Sequence, residues 1–334
     1  MTYYITGLGG FVGKNLLEIL DKEKDCNIVA FILPQERNLN FLNKQNITLV
    51  EGNLLSKEDI HKFLSTEGKG NKIIIHIAGR ITTLKRGDSL TTRINYEGTK
   101  NIVDVMNEIG DFSKLVYVSS VDSLPKQKGK DEIKETEIYD IKKVDGVYSK
   151  SKVLANNYVL ENSKVSSTLI LPSAILGPND PRLAPINNAI KKFLIDKLPM
   201  ITAGGYNLVD VRDVAQSIYL ASKSAKDKES YIVSGEYISV KDLIKEVADI
   251  EKKKPVTKKV PHFFIKLISP FIVFHAKIHH KTPLFTGFSM DCLKQNSNYS
   301  NKKAKADLGI TFRPLKETLI DTVKWMKESG YLAK

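Results

Sequence analysis

The sequence predicts an α/β fold in which helices cover both faces of a doubly wound parallel sheet, and three observations lead to this prediction. Short apolar runs alternate with helical patterns over residues 2–171. A glycine-rich segment follows the first apolar run directly and opens the first helical pattern. The alternation then breaks at Pro172. Alternation at this spacing produces parallel strands joined by right-handed crossovers, so the first half of the chain should form one sheet.

The elements of this sheet follow in chain order. Each strand is a short run rich in β-branched and aromatic residues, and each helix shows apolar residues recurring with helical spacing. The strands are expected at residues 2–6, 28–33, 47–50, 72–77, 115–119 and 166–171. The helices are expected at residues 11–20, 58–64, 89–109 and 148–160.

Beyond Pro172 the pattern predicts returns to the sheet and excursions from it. Residues 209–211, with the helix that follows them, and residues 231–233 are expected to rejoin the sheet. The excursions should form a smaller, mostly helical substrate lobe at the carboxyl edge of the strands, where open α/β sheets bind ligands. The predicted division is a dinucleotide-binding domain of residues 1–174 and 205–235, and a lobe of residues 175–204 and 236–334 with helices at 239–250, 262–276 and 315–328.

The glycine-rich segment, residues 6–13, reads TGLGGFVG. Glycines at G-x-x-G-x-x-G spacing permit a tight turn, close approach of the backbone to a pyrophosphate, and close packing of helix on strand. The N–H groups at the start of the following helix favour phosphate binding. The segment therefore predicts a Rossmann-type dinucleotide site whose contacts are Gly7, Gly10, Phe11, Val12 and Gly13.

The residues after the second strand decide between NAD(H) and NADP(H). An acidic residue there binds the ribose 2′-hydroxyl, whereas an arginine accommodates a 2′-phosphate. Leu33 holds the discriminating position, while Glu36 and Arg37 favour opposite cofactors. NADP(H) is the favoured prediction, because of Arg37 and the net charge of +13.

The catalytic pair is predicted from its position rather than from its spacing alone. Tyr-x-x-x-Lys spacing recurs in this lysine-rich chain, and Tyr139 begins the nearest rival pair. Tyr148 and Lys152 instead begin a predicted helix soon after the serines that end the fifth strand. Their i,i+4 spacing puts both side chains on one helix face, where the ammonium would lower the pKa of the phenol.

Two further polar residues complete the predicted site. Ser120 would donate a hydrogen bond to a substrate carbonyl, with Ser119 and Ser123 as alternatives. Asn95, on the long predicted helix, would hold a water that relays protons to the lysine, and a purely structural role is the alternative. The set predicts hydride transfer from a nicotinamide to a carbonyl carbon, with Tyr148 protonating the oxygen.

The composition is that of a soluble globular protein. Lysine supplies most of the positive charge, and nucleic-acid readers usually rely on arginine. We therefore expect a solvated lysine-rich surface, or a phosphate-bearing cofactor or anionic substrate, rather than a nucleic-acid partner. The two cysteines suggest neither a disulfide framework nor a zinc site. No secretory signal or membrane span is visible, so a cytoplasmic location is expected.

These motifs resemble those of the extended short-chain dehydrogenase/reductases over nearly the whole chain. Residues 6–13 match the family's cofactor turn, residues 52–54 its adenine-side motif with Asn53 in place of the usual Asp, and residues 76–79 the element that lies along the cofactor. The resemblance implies catalytic roles for Ser120, Tyr148, Lys152 and Asn95. It implies cofactor contacts from Arg37, Asn53, Leu54, Ala78, Gly79, Tyr148, Lys152, Pro172 and Ser173.

Within that family, residues 172–180, 209–215 and 283–286 look most like bacterial dihydroflavonol-4-reductase-like and 3β-hydroxysteroid-dehydrogenase-like members. This likeness implies NADPH-dependent reduction of a ketone or aldehyde, often by a homodimer joined through a helix pair. Nucleotide-sugar epimerases usually continue the serine motif as Val-Tyr-Gly, whereas residues 121–125 read VDSLP. An epimerase or dehydratase, a steroid dehydrogenase/isomerase and a non-catalytic nucleotide sensor are the alternatives.

Residues 252–281 are rich in lysine and phenylalanine and contain no acidic residue. We expect this segment to cover an apolar substrate pocket as a lid, and association of residues 262–281 with a membrane surface is the alternative. The histidines of this segment have no nearby carboxylate, so no metal site is predicted.

Overall fold

The computed structural model describes residues 1–125, 129, 131–260, 269 and 287–332. Its strands are β1 (Thr2–Thr6), β2 (Asn27–Ile32), β3 (Ile47–Glu51), β4 (Lys72–His76), β5 (Lys114–Val118), β6 (Ser166–Pro172), β7 (Ala174–Leu176), β8 (Gly205–Asp210), β9 (Glu229–Val233) and β10 (Glu236–Ser239). Seven of them form a parallel sheet in the order β3-β2-β1-β4-β5-β6-β9. The strand order reverses between β1 and β4, which creates the crevice where such sheets bind ligands.

Helices cover both faces of this sheet, so the predicted fold class is confirmed. The helices are α1 (Phe11–Leu20), α2 (Lys57–Leu64), α3 (Ser89–Thr92), α4 (Gly98–Ile109), α5 (Val147–Asn162), α6 (Pro185–Leu194), α7 (Val211–Ser224), α8 (Val240–Ile250), α9 (Gly287–Cys292), α10 (Lys302–Leu308) and α11 (Leu315–Glu328). Side chains of successive strand residues point to opposite faces of the sheet. Tyr3 packs in the core beneath α1 and α7, and Tyr4 packs in the core beneath α2, α4 and α5.

One predicted return to the sheet is wrong. The strand containing residues 209–210, β8, lies between β7 and β10 in a separate three-stranded sheet. The place beside β6 is taken by β9, whose pairing begins at Thr168 and Glu229. Both strands are mostly buried where they lie, so burial does not distinguish which of them pairs with β6. The predicted return of residues 231–233 is confirmed.

The small sheet belongs to a second hydrophobic core, which it shares with helices of the C-terminal region. Leu208 of β8, Ile244 of α8 and Leu319 of α11 pack together in this core. The predicted helices at 239–250 and 315–328 are confirmed, whereas α6, β7 and β10 were not predicted. The predicted helix at 262–276 lies outside the described residues. The boundaries between domain and lobe stay a prediction.

The long helix predicted at 89–109 is interrupted. A π-helical turn, Arg93–Glu97, separates α3 from α4 and contains Asn95. Single π-helical turns inside helices are frequent at functional sites. The interruption therefore lies where the sequence predicts a site residue.

Candidate active site

Close backbone contacts shape the turn between β1 and α1. Gly7 has a φ of +77°, and a Cβ atom there would lie 2.8 Å from the backbone nitrogen of Ala78. A Cβ on Gly13 would lie 2.3 Å from the carbonyl oxygen of Gly7. Helix α1 can therefore pack this closely on the turn because residue 13 is glycine.

The start of α1 is suited to an anion. Gly10 is the N-cap residue and supplies no side-chain hydrogen bond to the helix. The first residues of α1, Phe11 and Val12, present backbone N–H groups that have no acceptor four residues earlier inside the helix. These N–H groups and the helix dipole favour a pyrophosphate at this position.

Other predicted site residues follow the carboxyl ends of β4, β5 and β6. The predicted cofactor contacts Ala78 and Gly79 follow β4, and Ser173 follows Pro172 at the end of β6. Ser119, an alternative to Ser120 for binding the substrate oxygen, follows β5. The hydroxyl oxygens of Ser119 and Ser173 are buried and have no hydrogen-bond partner among the described residues. Unsatisfied buried hydroxyls are unfavourable, so these atoms suit a ligand rich in hydroxyl and amide groups. Together with the glycine turn, they fit a nicotinamide dinucleotide.

The side chains after β2 lie at two different depths. Arg37 is largely exposed, with 73% of its side chain accessible, and pairs with Glu51 at 2.6 Å. Glu36 is buried, pairs with Arg182 at 2.5 Å, and would lie 3.0 Å from a Cβ on Gly9. The carboxylate of Glu36 is thus beside the glycine turn. Sequence reasoning missed Arg182, because it arrives from a loop 146 residues later.

The two residues of the predicted adenine-side motif differ in burial: Asn53 is exposed and Leu54 is buried. The side-chain oxygen of Asn53 accepts a hydrogen bond from the backbone of Leu55 at 3.0 Å, which stabilises the local turn. Leu54 is buried against Gly98, at the start of α4. Leu54 therefore supports the wall of the crevice, and Asn53 remains exposed.

Tyr148 and Ser120 are brought together by α5 and the end of β5. The Ser120 hydroxyl oxygen accepts a hydrogen bond from the backbone nitrogen of Asp122 at 3.1 Å. Burial raises the pKa of Tyr148, the charge of Asp122 adds to this effect, and the nearby Ser120 hydroxyl opposes it. The expected lowering of this pKa is therefore wrong, because burial of the phenolate dominates.

The ammonium of Lys152 lies in the interior. The residue is 3% exposed, and its Nζ donates to the hydroxyl of Tyr117 at 3.1 Å and to the carbonyl of Val118 at 2.9 Å. Burial lowers the pKa of Lys152 to about 7, because a buried cation loses hydration. Sequence reasoning missed Tyr117. Its place two residues before Ser119, on the same strand face, was the signal that could have found it.

Asn95 is buried beside the lysine, and its amide is engaged by protein groups. Its Oδ1 accepts from the backbone of Arg80 at 2.7 Å, and its Nδ2 donates to the Arg80 carbonyl and to Ser151, both at 2.9 Å. A Cβ on Gly79 would lie 3.3 Å from Asn95 Oδ1 and 3.5 Å from Lys152 Nζ. The structure thus brings Asn95 close to Lys152 in a positioning arrangement, with the amide holding the chain after β4.

Two of the alternative residues have structural partners. Ser123 is fully buried, donates to the carbonyl of Ser120 at 2.7 Å and accepts from Asn156 at 2.9 Å. The hydroxyl of Tyr139 pairs with Ser230 of β9 at 2.7 Å. Ser119, the third alternative, has no hydroxyl partner among the described residues.

Two structural features are absent from the described part of the chain. No group of three or more His, Cys, Asp or Glu side chains there is arranged to hold a metal ion. No helix within the same residues has both the length and the apolar character needed to cross a bilayer. The basic aromatic segment, residues 252–281, lies largely outside the described residues.

Sequence comparison identifies relatives of this chain. The model of the 3-beta hydroxysteroid dehydrogenase/isomerase family matches residues 4–245. A putative dihydroflavonol 4-reductase from Synechocystis sp. is 27% identical over 339 residues, which covers 99% of this chain and 96% of the relative.

Solved structures share the fold. The crystal structure of gox2253 aligns with a TM-score of 0.82 and 27% identity, over 99% of this chain and 98% of the other. The UDP-glucuronic acid 4-epimerase from Bacillus cereus, solved with UDP-glucuronic acid and NAD, aligns with a TM-score of 0.73 and 16% identity, over 98% of this chain and 100% of the other. The chain belongs to the 3-beta hydroxysteroid dehydrogenase/isomerase family, within the extended short-chain dehydrogenase/reductases, and is an NAD(P)-dependent oxidoreductase acting on CH–OH or C=O groups.

Proposed function

We propose that this protein reduces the carbonyl group of a small, apolar ketone or aldehyde. The observation that carries the proposal is the placement of Ser120, after the end of β5, beside Tyr148, which lies one helical turn from the buried Lys152. The dihydroflavonol 4-reductase name of one relative supports a carbonyl substrate. The phenol of Tyr148 holds its proton at neutral pH, so it is available as a proton donor to a carbonyl oxygen.

Each residue has a separate task in this proposal. Ser120 orients the substrate oxygen by a hydrogen bond, and Tyr148 gives its proton to that oxygen as negative charge develops. Lys152 places positive charge near the phenol, and Asn95 holds the backbone after β4. A nicotinamide dinucleotide, when bound along the glycine turn, supplies the hydride.

A substrate screen tests the proposal. Purified protein is incubated with NADPH or NADH and with aldehydes, flavonoid-like ketones, ketosteroids or UDP-sugars, and dinucleotide oxidation is followed by absorbance. We expect stoichiometric oxidation with at least one apolar carbonyl compound. Conversion of a UDP-sugar without net oxidation indicates the epimerase alternative. A conjugated enone formed from a hydroxysteroid indicates the dehydrogenase/isomerase alternative, and either outcome contradicts the proposal.

For the dinucleotide we propose NADP(H), on the basis of Arg37. Its ion pair with Glu51 is at the surface, and such pairs contribute little, so a 2′-phosphate can replace that carboxylate. NAD(H) is the rival, and Glu36 favours it, because a carboxylate beside Gly9 repels a 2′-phosphate and accepts hydrogen bonds from a free ribose diol.

Kinetics with both dinucleotides separate these cofactor assignments. If NADP(H) is correct, the wild-type protein has the lower KM for NADPH, and Arg37→Gln raises that KM while leaving the KM for NADH nearly unchanged. Glu36→Gln serves as the opposing variant. A wild-type preference for NADH that is lost in Glu36→Gln would overturn the NADP(H) proposal.

A homodimer and a cytoplasmic location are further proposals, and both rest on the family resemblance. Light scattering coupled to size-exclusion chromatography tests the first. A molar mass equal to one chain across the accessible concentration range contradicts the dimer.

A further inference from the structure

Tyr117 is a buried phenol that contacts the catalytic lysine in two ways. Its hydroxyl accepts a hydrogen bond from Lys152 Nζ at 3.1 Å, and the same nitrogen lies 4.8 Å from the centre of its ring. The other side of the ring stacks on His76, with 5.4 Å between ring centres and 22° between planes. Tyr117 therefore bridges the imidazole of β4 and the ammonium of α5.

The hydrogen atoms of the surrounding network can be assigned from its bonds. The hydroxyl of Thr99 donates to the carbonyl of Asn95 at 2.7 Å, so its oxygen must accept from His76 Nε2 at 2.9 Å. His76 Nδ1 then accepts from the hydroxyl of Thr6 at 2.6 Å. The imidazole is neutral, since burial and the charge of Lys152 lower the pKa of His76 to about 3.

The phenol of Tyr117 lies against this network. Its oxygen accepts a hydrogen bond from Lys152 Nζ, and its ring stacks on His76. Burial raises the pKa of the phenol, and the nearby Thr99 hydroxyl opposes this shift. The phenol therefore keeps its hydrogen and offers its oxygen to Lys152 as an acceptor.

The hydrogen-bonded network cannot transport protons. Its last acceptor is the backbone carbonyl of Asn95, which has no proton to pass on. The network therefore holds the side chains in fixed orientations and does not conduct protons. At the other end of the network lies Thr6, the residue directly before the glycine turn. Its hydroxyl oxygen accepts a hydrogen bond from the backbone nitrogen of Ala78 at 3.2 Å.

We propose that Tyr117 is a positioning residue for Lys152, and that the stacked imidazole of His76 keeps the phenol in place so that its oxygen receives the ammonium. The inference rests on the proposed function, in which Lys152 serves Tyr148. The ring of Tyr117 fills space beside Lys152, whereas its hydroxyl oxygen binds the ammonium directly. The oxygen is therefore the atom that sets the position of the Lys152 charge. Removing this oxygen leaves the ammonium with one fewer acceptor in a buried site.

Tyr117→Phe tests the proposal, because it removes the oxygen and keeps the ring. The readout is the titration of Lys152 in protein labelled with ¹³C at the lysine ε-carbons, without cofactor or substrate, and Lys152→Met assigns the resonance. Most lysines titrate near pH ~10.4, whereas Lys152 is expected well below them. Tyr117→Phe removes a hydrogen bond that stabilises the charged form of Lys152, so we expect the titration midpoint of Lys152 to fall by about one pH unit.

Tyr139→Phe is the matched control. Tyr139 is also buried and also loses one hydroxyl partner, Ser230, which lies on β9. We expect the Lys152 midpoint to stay unchanged in this variant. The ionisable groups that contact Lys152 or couple to its charge are His76 and Tyr117, with Tyr148 on the same helix face, and none of them changes in the control.

Kinetics provide the second readout. With a carbonyl substrate from the screen, Tyr117→Phe should lower kcat about tenfold, the factor that corresponds to one pKa unit, and leave the KM of the substrate nearly unchanged. The alkaline limb of the pH profile should move to lower pH. An unchanged Lys152 midpoint together with an unchanged pH profile would overturn the proposal.

Thr99 supplies a second test if Tyr117→Phe does not fold. Thr99→Val removes the acceptor of His76 Nε2, which fixes the imidazole that stacks on Tyr117, and Thr99→Ser retains it. We expect a lowered Lys152 midpoint in Thr99→Val and a wild-type midpoint in Thr99→Ser, and equal midpoints would overturn the proposal. Because the titration needs no reaction, a shifted midpoint without any carbonyl reduction refutes the proposed function alone.

Discussion

Tyr148 shows how a residue's surroundings select its chemical role. Its spacing from Lys152 is that of a phenol activated by an ammonium, yet burial and Asp122 raise its pKa. The ammonium of Lys152 is meanwhile bound to Tyr117 and Val118. A phenol in this state keeps its proton at neutral pH, which suits reduction better than alcohol oxidation.

Tyr148→Phe should abolish most turnover while preserving the site. The variant loses the proton donor, and general acid catalysis typically contributes about 10²–10⁴ in rate, so kcat should fall by that factor. Dinucleotide binding, measured by fluorescence titration, should change little, because the glycine turn is untouched. A near-normal kcat would remove Tyr148 from the proposed mechanism.

Lys152 makes stability depend on pH. Its pKa is about 7 in the folded protein and near the ordinary 10.5 when unfolded, so between these values the unfolded chain binds more protons and stability increases with pH. Lys152→Met removes this term. The variant should therefore be stabilised relative to wild type most strongly near pH ~6, and the difference should shrink toward pH ~10.

Urea unfolding of both proteins across this range measures the effect. Lys150→Met is the control, because Lys150 lies on the same helix and is exposed. A difference between wild type and Lys152→Met that does not change with pH would contradict a buried ammonium.

At the scale of elements, the β1–α1 unit depends on the absence of one carbon atom. A Cβ on Gly13 would lie 2.3 Å from the oxygen of Gly7, whereas a Cβ on Gly10 would lie 3.3 Å from that oxygen. Gly10 has extended backbone angles that any residue adopts. The two positions therefore form a matched pair within one turn.

Gly13→Ala should lower the free energy of unfolding by about 1–3 kcal/mol, the usual range for overpacking. It should also weaken dinucleotide binding, because α1 must move away from the turn. Gly10→Ala should have the smaller effect on stability. Thermal unfolding compares the variants, and equal melting temperatures would show that the turn tolerates the added atom.

The interrupted helix was harder to predict than the continuous ones. The segment 89–109 has helical spacing throughout, and nothing in that periodicity distinguishes a π-helical turn at Arg93–Glu97. The turn is stabilised by non-local bonds: the Asn95 amide holds Arg80 and Ser151. Sequence spacing reports local geometry, so it does not contain these contacts.

For the molecule as a whole, an ion pair with a buried carboxylate attaches the C-terminal region to the helix layer on the main sheet. Asp213 of α7 is 1% exposed, and its carboxylate binds the guanidinium and the backbone nitrogen of Arg313, just before α11. Burial raises the pKa of Asp213, and Arg313 opposes this shift. The pair joins α11 to α7, which packs on the main sheet.

Arg313→Met should destabilise the protein by about 3 kcal/mol, because it leaves a buried carboxylate with its backbone partner alone. Lys324→Met is the control, since Lys324 and Glu328 form an exposed pair at 4.0 Å and exposed pairs contribute little. Chemical denaturation measures both. Equal stabilities would contradict a structural role for the Asp213–Arg313 pair.

Much of the fold and part of the site were predictable from local pattern. The alternation of strand and helix patterns over residues 2–171 predicted the parallel sheet, and the spacing of Gly7 and Gly13 predicted the turn suited to a phosphate. The position of β8 was not predictable, because both β8 and β9 are apolar and the competition for the edge beside β6 is settled by packing.

The amino-acid order alone determined the fold class, the dinucleotide turn and the helix face shared by Tyr148 and Lys152, because each depends on residues close together in the chain. Tertiary structure decided which groups surround those residues. It placed Tyr117 under the ammonium of Lys152, Glu36 beside Gly9, and Arg182 against Glu36. These contacts join distant segments, and burial sets the strength of their charges, so no spacing along the chain encodes them.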